Sequence, residues 1–517
     1  MADSLLESYE TVAYLSKVIP LTDPDSIAAN AILHGVTPPP PDQCRVLELG
    51  CAAGMNVIAA GFVSPKCQFV GIDLAPSQIE MGQLIVSEMG LRNVRLEARS
   101  IDTIDESFGQ FDYIICHGVY SWVPAHIQDA ILRVCADHLA PNGIAYVSYN
   151  TYPGWHRRGM LRDMLLFHDD RSLAPGVRIE RSRDFAAFLA GADPDNQSLH
   201  VATLRDEVKQ LGAQNDQHLF HEQLEPYNEP LYFAQFMHRA SEHGLQYLCE
   251  AKPTSETPST KKLQQLLAVT DDRIRFEQYT DFVIGRTFRR TLLSRSAQQC
   301  AAMPQASAVQ GLYLRSRAVQ VPPAAEDAKT VAGVESFRTP TEVTITTNNP
   351  VVLAMFHVLA DAAPGVVAFA DLHRGVIERL RASPDATIHH AADDPLVVAN
   401  AALQCAPTGL LEFRSAPSKF ATRPSQRPKA SALARWQAIH GDLVPSLGHW
   451  SVTLTGLERF LLQHLDGTND RGQLARLVDG ALRTGDLDVK GTPTREDLAR
   501  VVDDCLLNLS HSGLLAS

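Results

Sequence analysis

The chain is short of positive charge. Its 46 Lys and Arg stand against 59 Asp and Glu, a formal charge of −13 at pH 7, and that balance disfavours nucleic acid as a partner, because DNA and RNA are held by an excess of basic groups on phosphates. The pair Arg289-Arg290 after Phe288 is too short to make a basic patch. No apolar run approaches the ~18 residues that a membrane span needs. The acidic start MADSLLESYE lacks the basic-then-apolar order of a secretory signal, so a cytoplasmic protein without membrane attachment is expected. Cysteine is also scarce. The nine present are scattered, odd in number and without a C-x-x-C pair, a pattern that favours a reducing compartment over a disulfide framework and offers no zinc site. With 45% hydrophobic and 20% charged residues, the composition is that of a folded chain rather than a disordered one.

What is present is an alternation of strand-like and helix-like segments. At 517 residues the chain exceeds what one hydrophobic core serves, so several domains are expected. One or two helices around a turn at Pro20 to Pro24 reach about Leu33 and are stopped by Pro38 to Pro41, where proline removes the amide donor. CRVLELG, CQFVGIDL, NVRLEARS, FDYIICHG and GIAYVSYN then read as strands, with CAAGMNVIAAGF, PSQIEMGQLIVSEMG and AHIQDAILRVCADHL as helices between them. Ser77 and Glu80 have the spacing of a capping box. Such alternation predicts right-handed βαβ crossovers and an α/β fold with a Rossmann-like, doubly wound sheet over residues 1–170. Residues 184–295 read as a separate helical domain, with VATLRDEVKQLG, PLYFAQFMHRASEHG and YTDFVIGRTFRRTLL as its clearest helical pieces. Residues 296–340 read as a linker with a candidate strand at GLYLRSRAVQV. In 341–517 two stretches each open on an apolar helix and end in Gly-Leu-Leu. Two winged-helix-like α+β repeats or two unrelated helical hairpins would both give that pattern.

The strongest chemical signal is Glu48-Leu49-Gly50-Cys51-Ala52-Ala53-Gly54-Met55-Asn56, between a strand and a helix. Gly50 and Gly54 permit a sharp turn and a close ligand approach, and Cys51, Ala52 and Asn56 complete the wall. Asp73 ends the next strand, where a carboxylate can accept both hydroxyls of a ribose, with Leu74 beside it. The glycine spacing is G-x-x-x-G rather than the G-x-G-x-x-G that seats a pyrophosphate. Together with the acid at Glu48 it favours S-adenosylmethionine (AdoMet), which carries an ammonium and a sulfonium but no phosphate, over NAD. Ser100 and Ile101, after the third strand, should lie beside the adenine. No metal is implied.

With these residues the chain resembles bacterial class I methyltransferases that carry a methyltransferase regulatory domain, including rickettsial-type protein lysine methyltransferases. The resemblance rests on SYETVAYLS, VLELGCAAGMN, FVGIDLAPSQI, FGQFDYIICHGVYSWVP and YVSYNTYPGWH, then on LFHEQLEPYNEPLYFAQF, GLQYLCEA and YTDFVIGRTFRRTLL. It covers about residues 8 to 295 and weakens beyond. It implies AdoMet as methyl donor and protein side chains as one acceptor class. Two departures stand out: Gly54-Met55-Asn56 follows Ala53 where the family often has Gly-Gly-Asn, and Arg99-Ser100 replaces a frequent Gly-Asp pair.

Methyl transfer from a sulfonium needs an acceptor lone pair held in line and water kept away. Acceptor loops in such sheets lie past the fourth and fifth strands, which here carry His117, Tyr120, Ser121 and Trp122, then Asn150, Tyr152, Trp155 and His156. His117 also borders the cofactor. A lysine acceptor must lose a proton, and His117 or Tyr152 is the candidate to accept it or to orient the amine. The zinc-protease reading of His221-Glu222 fails because H-E-x-x-H would need histidine where Glu225 stands. Three functions stay open: a protein (lysine) methyltransferase, a small-molecule methyltransferase, and an AdoMet-sensing scaffold without catalysis. A homodimer is compatible with each, and the segment starting at Ser8 is placed to close over the cofactor as a lid.

Overall fold

The computed structural model describes residues 10–12, 14–191, 196, 198–252, 265–266, 268–322, 333–339, 342–381, 393–487 and 495–516. Ser8 and the first residues of the proposed lid lie outside this set. The core is a seven-stranded sheet of β1 (Arg45–Leu49), β2 (Gln68–Asp73), β3 (Val94–Ala98), β4 (Phe111–Cys116), β5 (Leu139–Asn150), β6 (Leu245–Glu250) and β7 (Phe288–Arg295), in the order β3-β2-β1-β4-β5-β7-β6. The first five strands are parallel. Their aliphatic runs are buried on both faces, as parallel strands require. Alternate residues of β1 feed opposite cores. Val46 packs in the layer with Val57 and Ile58 of helix Met55–Val63 and Ile79 of helix Pro76–Glu88. Leu47 and Leu49 join the layer with Ile131 and Val134 of helix Ala125–His138. The strand order turns back between β1 and β4, and ligands of open α/β sheets collect at such a switch point.

Three expectations need correction. The stretch 184–295 is not a separate helical body, because β7 pairs antiparallel with β5 and β6 pairs antiparallel with β7, which completes the seven-stranded sheet. The segment YTDFVIGRTFRRTLL is helical only to Ile284. Gly285 then takes a left-handed conformation at φ 65° and the chain leaves as β7. What holds this junction is Arg289, fully buried, whose guanidinium bonds Asp281, Glu277 and Glu250 at 2.8–3.0 Å. Aromatic spacing near 3.6 hid a strand whose buried position is a charge. Thirdly, Ser77 forms no capping box: the helix cap is Ala75, and the Ser77 amide bonds the Glu10 carboxylate at 3.1 Å.

The stretch expected as a linker is also structured. β8 (Tyr313–Arg315) is the middle strand of a sheet with β12 (Val367–Ala368) and β13 (Glu412–Arg414), while β9 (Val319–Val321) pairs with β10 (Glu335–Arg338) and β10 with β11 (Thr344–Thr347). Helices Pro350–Ala362, Phe369–Arg381 and Pro395–Cys405 pack on β8 around one apolar core. Residues 430–515 have another, formed by four helices and the hairpin β14 (Leu443–Pro445) and β15 (Ser451–Thr453). The first of these units reaches back to the N-terminal helix. Arg414 of β13 forms ion pairs with Asp23 and Asp25 at the start of helix Pro24–Leu33, with 2.6 Å from its Nε to Asp25.

Candidate active site

β1 delivers its chain into a turn that only small residues tolerate. Gly50, Ala52 and Gly54 all have positive φ, at 71°, 50° and 73°. A Cβ on Gly50 would sit 2.4 Å from Val119 Cγ2, so the glycine lets the loop after β4 lie directly on the turn. Ala52 is the strained member, since an L side chain in this region costs about 1–2 kcal/mol. Asp73, at the tip of β2, holds it there: Oδ2 accepts from Ala52 N at 2.8 Å and Oδ1 from Ala75 N at 3.0 Å. Burial raises the Asp73 carboxyl above its ordinary range.

Glu48 lies below this turn, buried at 3% exposure. Oε1 accepts from Asn56 Nδ2 at 2.9 Å, while Oε2 is buried and has no hydrogen-bond partner among the described residues. Burial above all, with Asp73 adding, pushes the carboxyl up to about 8. A buried carboxyl with one free oxygen at the switch point is suited to a cationic or hydroxylated ligand.

A strap from the N-terminus runs over the turn. Ser16 Oγ accepts from Met55 N at 3.0 Å, the Ile19 amide donates to Asn56 Oδ1 at 3.0 Å, and His221 Nε2 meets Val12 O at 2.9 Å. Cys51 is buried and packs against Gly71. Leu74 is exposed at the rim, Ile101 is buried in the turn after β3, and the Ser100 hydroxyl is engaged by Asp102 at 2.5 Å, which leaves its backbone for contacts.

Past β4, His117 Nδ1 meets the Tyr146 hydroxyl at 2.8 Å. Burial, with Arg290 and Lys17 nearby, pushes this imidazole down to about 3. It is therefore neutral at physiological pH and too weak a base to hold a proton there. Past β5, Tyr152 stacks on His156 at 4.1 Å, and His156 Nε2 meets Tyr232 Oη at 3.1 Å. The Tyr152 phenol is raised by partial burial, so it stays protonated. The two loops join through Trp122 and Trp155, whose rings cross edge-on at 6.2 Å, and through Ser121 Oγ, which accepts from Asn150 N at 2.9 Å. Tyr120 is buried core against Phe236 at 5.3 Å.

The segment that follows supplies groups the motif reading did not single out. Asn150 Nδ2 donates to Asn228 Oδ1 at 3.0 Å, and Glu229 N to Ser121 O at 2.8 Å. Both lie within LFHEQLEPYNEPLYFAQF, so the clue was the block itself rather than any residue chemistry. Ser16 closes the block SYETVAYLS, within the segment expected to cover the cofactor, whereas Ile19, Thr22 and His449 from the far C-terminal part had no local signal.

A methyltransferase domain family matches residues 47–145, a predicted methyltransferase regulatory domain 215–295, and a PKMT C-terminal winged helix domain 426–514. The uncharacterized protein RP789 of Rickettsia prowazekii is 31% identical over 488 residues, which is 93% of this chain and 87% of that protein. The chain belongs to the rickettsial-type family of class I AdoMet-dependent methyltransferases. A second protein of that organism, RP028, is 37% identical over 241 residues, covering 47% of this chain and 96% of its own. The structure of PKMT2 from Rickettsia typhi superposes with a TM-score of 0.86 at 27% identity, covering 98% of this chain and 100% of that one; its complex with AdoHcy gives 0.85. The methyltransferase thus shares its whole architecture with that protein, C-terminal units included. No helix among the described residues is long and apolar enough to cross a membrane, and these residues hold no cluster of three or more metal-ligating side chains.

Proposed function

We propose that this methyltransferase moves the methyl group of AdoMet to lysine side chains of a polypeptide. The observation that carries the donor site is the pair of carboxylates at adjacent strand ends, buried Glu48 and half-buried Asp73, either side of a left-handed turn. Asp73 is placed for the ribose hydroxyls, and the free Oε2 of Glu48 for the ammonium end. Gly50 and Gly54 keep the turn low, Leu74 and Ile101 flank the adenine, and the Ser100 backbone bonds its edge. When bound, AdoMet supplies an electrophilic methyl on a cationic sulfur.

The chain's residues then have to seat an amine, align it and exclude water. His117, neutral and fixed by Tyr146, serves as a hydrogen-bonding wall rather than as the base. Tyr152, protonated and stacked, orients the incoming amine through its hydroxyl. The Trp122 and Trp155 rings shield the passage between the loops. A lysine acceptor is supported by the end-to-end likeness to PKMT2 and by the PKMT winged-helix match. Methyl-labelled AdoMet incubated with the full chain and a lysine-rich polypeptide tests the reading. Label on lysine after acid hydrolysis is expected. Label in small molecules alone would give the reaction to a small acceptor, and donor binding without transfer to either fraction would leave a sensing scaffold.

A further inference from the structure

His449 lies more than 390 residues from Asn56 in sequence, yet its Nε2 stands 3.1 Å from Asn56 Oδ1 in a buried contact. The Asn56 amide is fully committed. Nδ2 donates to Glu48 Oε1 and to Thr22 Oγ1, both at 2.9 Å, while Oδ1 accepts from Ile19 N at 3.0 Å. Thr22 Oγ1 spends its own hydrogen on Ile19 O at 2.9 Å. These directions leave one assignment: Oδ1 is the acceptor toward the ring, so His449 Nε2 carries its hydrogen and donates. Burial keeps the imidazole neutral, as it lowers the histidine below its ordinary range. A one-way chain therefore runs from His449 through Asn56 to Glu48, and it turns the Glu48 carboxyl so that Oε2 is the oxygen left free.

The histidine is presented at some conformational cost. It sits at the tip of the hairpin β14–β15 with φ 63°, one of three non-glycine residues with positive φ among those described. Holding an L residue there costs about 1–2 kcal/mol, and such strain persists where the surroundings over-determine it. They do so here. Ser446 N donates to Trp450 O at 2.9 Å and Trp450 N to Ser446 Oγ at 3.1 Å. The Trp450 ring is held edge-on to Phe420 at 5.6 Å and faces Arg315 at 4.7 Å. The turn is thus braced from both C-terminal units.

We propose that His449 is a positioning residue of the donor site, through which docking of the C-terminal winged-helix unit sets the affinity for AdoMet. The proposal rests on the reading that Glu48 faces the donor. It gives the distant unit a role in donor binding separate from any role in acceptor recognition.

The test uses the full chain with AdoHcy as calorimetric probe, plus separate KM values for AdoMet and for a lysine polypeptide. His449→Ala should weaken AdoHcy about fivefold, the net worth of one hydrogen bond of about 1 kcal/mol, and raise KM for AdoMet while leaving that for the polypeptide unchanged. His449→Gln, which restores a donor, should recover to within about twofold of wild type by the same arithmetic. Ser451→Ala removes a neighbouring contact of the same hairpin, its hydroxyl to Val18 O at 3.4 Å, and should leave AdoHcy affinity unchanged. If His449→Ala does not fold, His449→Leu is compared with His449→Gln. Equal affinity in that pair, or a loss in His449→Ala no greater than in Ser451→Ala, overturns the proposal while normal wild-type binding leaves the donor site standing. Wild type that binds no AdoHcy overturns both.

Discussion

Asp73 Oδ2 accepts a hydrogen bond from the backbone amide of Ala52 at 2.8 Å, across the mouth of the crevice. The carboxylate proposed above for the ribose is the same group that holds the strained turn, and on that proposal donor binding and turn geometry are coupled. Because the bond is made by backbone, Ala52→Gly should keep it and relieve the left-handed strain. The gain of about 1 kcal/mol is offset by extra unfolded-state freedom of about 0.4–1 kcal/mol. Affinity for AdoHcy is expected within about twofold of wild type, measured by calorimetry. Gly50→Ala, whose Cβ would meet Val119 at 2.4 Å, should instead cost at least about tenfold.

Glu48 makes stability depend on pH. Its folded carboxyl titrates at about 8 against an ordinary value of 4.5, so the folded protein holds a proton that the unfolded chain has released over that window. This contribution is complete below about 4.5 and is lost as pH rises towards 8. Glu48→Gln removes the titration. The melting temperature of the variant relative to wild type should therefore climb from pH 5 to pH 8, and a constant difference would contradict the assignment. Donor ammonium at Oε2 favours the carboxylate, so AdoMet binding at pH 7 should also release a proton, read from calorimetry in buffers of different ionisation enthalpy.

His117 at about 3 predicts a pH–rate profile with no limb near 6.5 that depends on this imidazole. The profile of His117→Gln should have the same shape as wild type. Tyr152→Phe should lower kcat/KM for the polypeptide by about tenfold, one orienting hydrogen bond to an amine, with AdoHcy affinity unchanged. Unaltered turnover in both variants would remove the two residues from the acceptor site.

Arg289 joins the regulatory segment to the sheet, and it faces Asp281, Glu250 and Glu277 from a fully buried position. Arg289→Ala leaves carboxylates uncompensated in the interior, which costs about 3–5 kcal/mol. Chemical denaturation should show a drop of that size. Arg95→Ala, which removes the more exposed of the two arginines paired with Glu97 and leaves Arg99 in place, should shift stability by less than about 1 kcal/mol.

The parallel half of the fold was legible because each element announces itself locally: aliphatic runs such as VLEL and FVGI, a glycine turn, and a carboxylate at each of two strand ends. Glu48, Gly50, Gly54 and Asp73 were found that way, and the structure gathers them at the switch point. β7 was not, since its pairing with β5 is decided across more than 130 residues and its buried Arg289 breaks the apolar pattern of a central strand. Asn56 was named for the right neighbourhood, but its four partners come from β1, the strap and the C-terminal hairpin, and no local pattern links residue 56 to residue 449. His117 and Tyr152 were chosen as titratable groups at strand ends. The burial that sets His117 too low to hold a proton at neutral pH exists only after folding, whereas the Tyr152 phenol starts high and partial burial only raises it further.

We propose that Asp73 and Glu48 together hold one AdoMet-derived ligand. Calorimetric titration of AdoHcy into wild type and Asp73→Asn tests it most directly. One site per chain is expected in wild type, and the variant, which loses hydrogen bonds to a charged acceptor worth about 1.5–3 kcal/mol, should bind about ten- to hundredfold more weakly. Equal binding by the two proteins, or no heat from folded wild type, would contradict it.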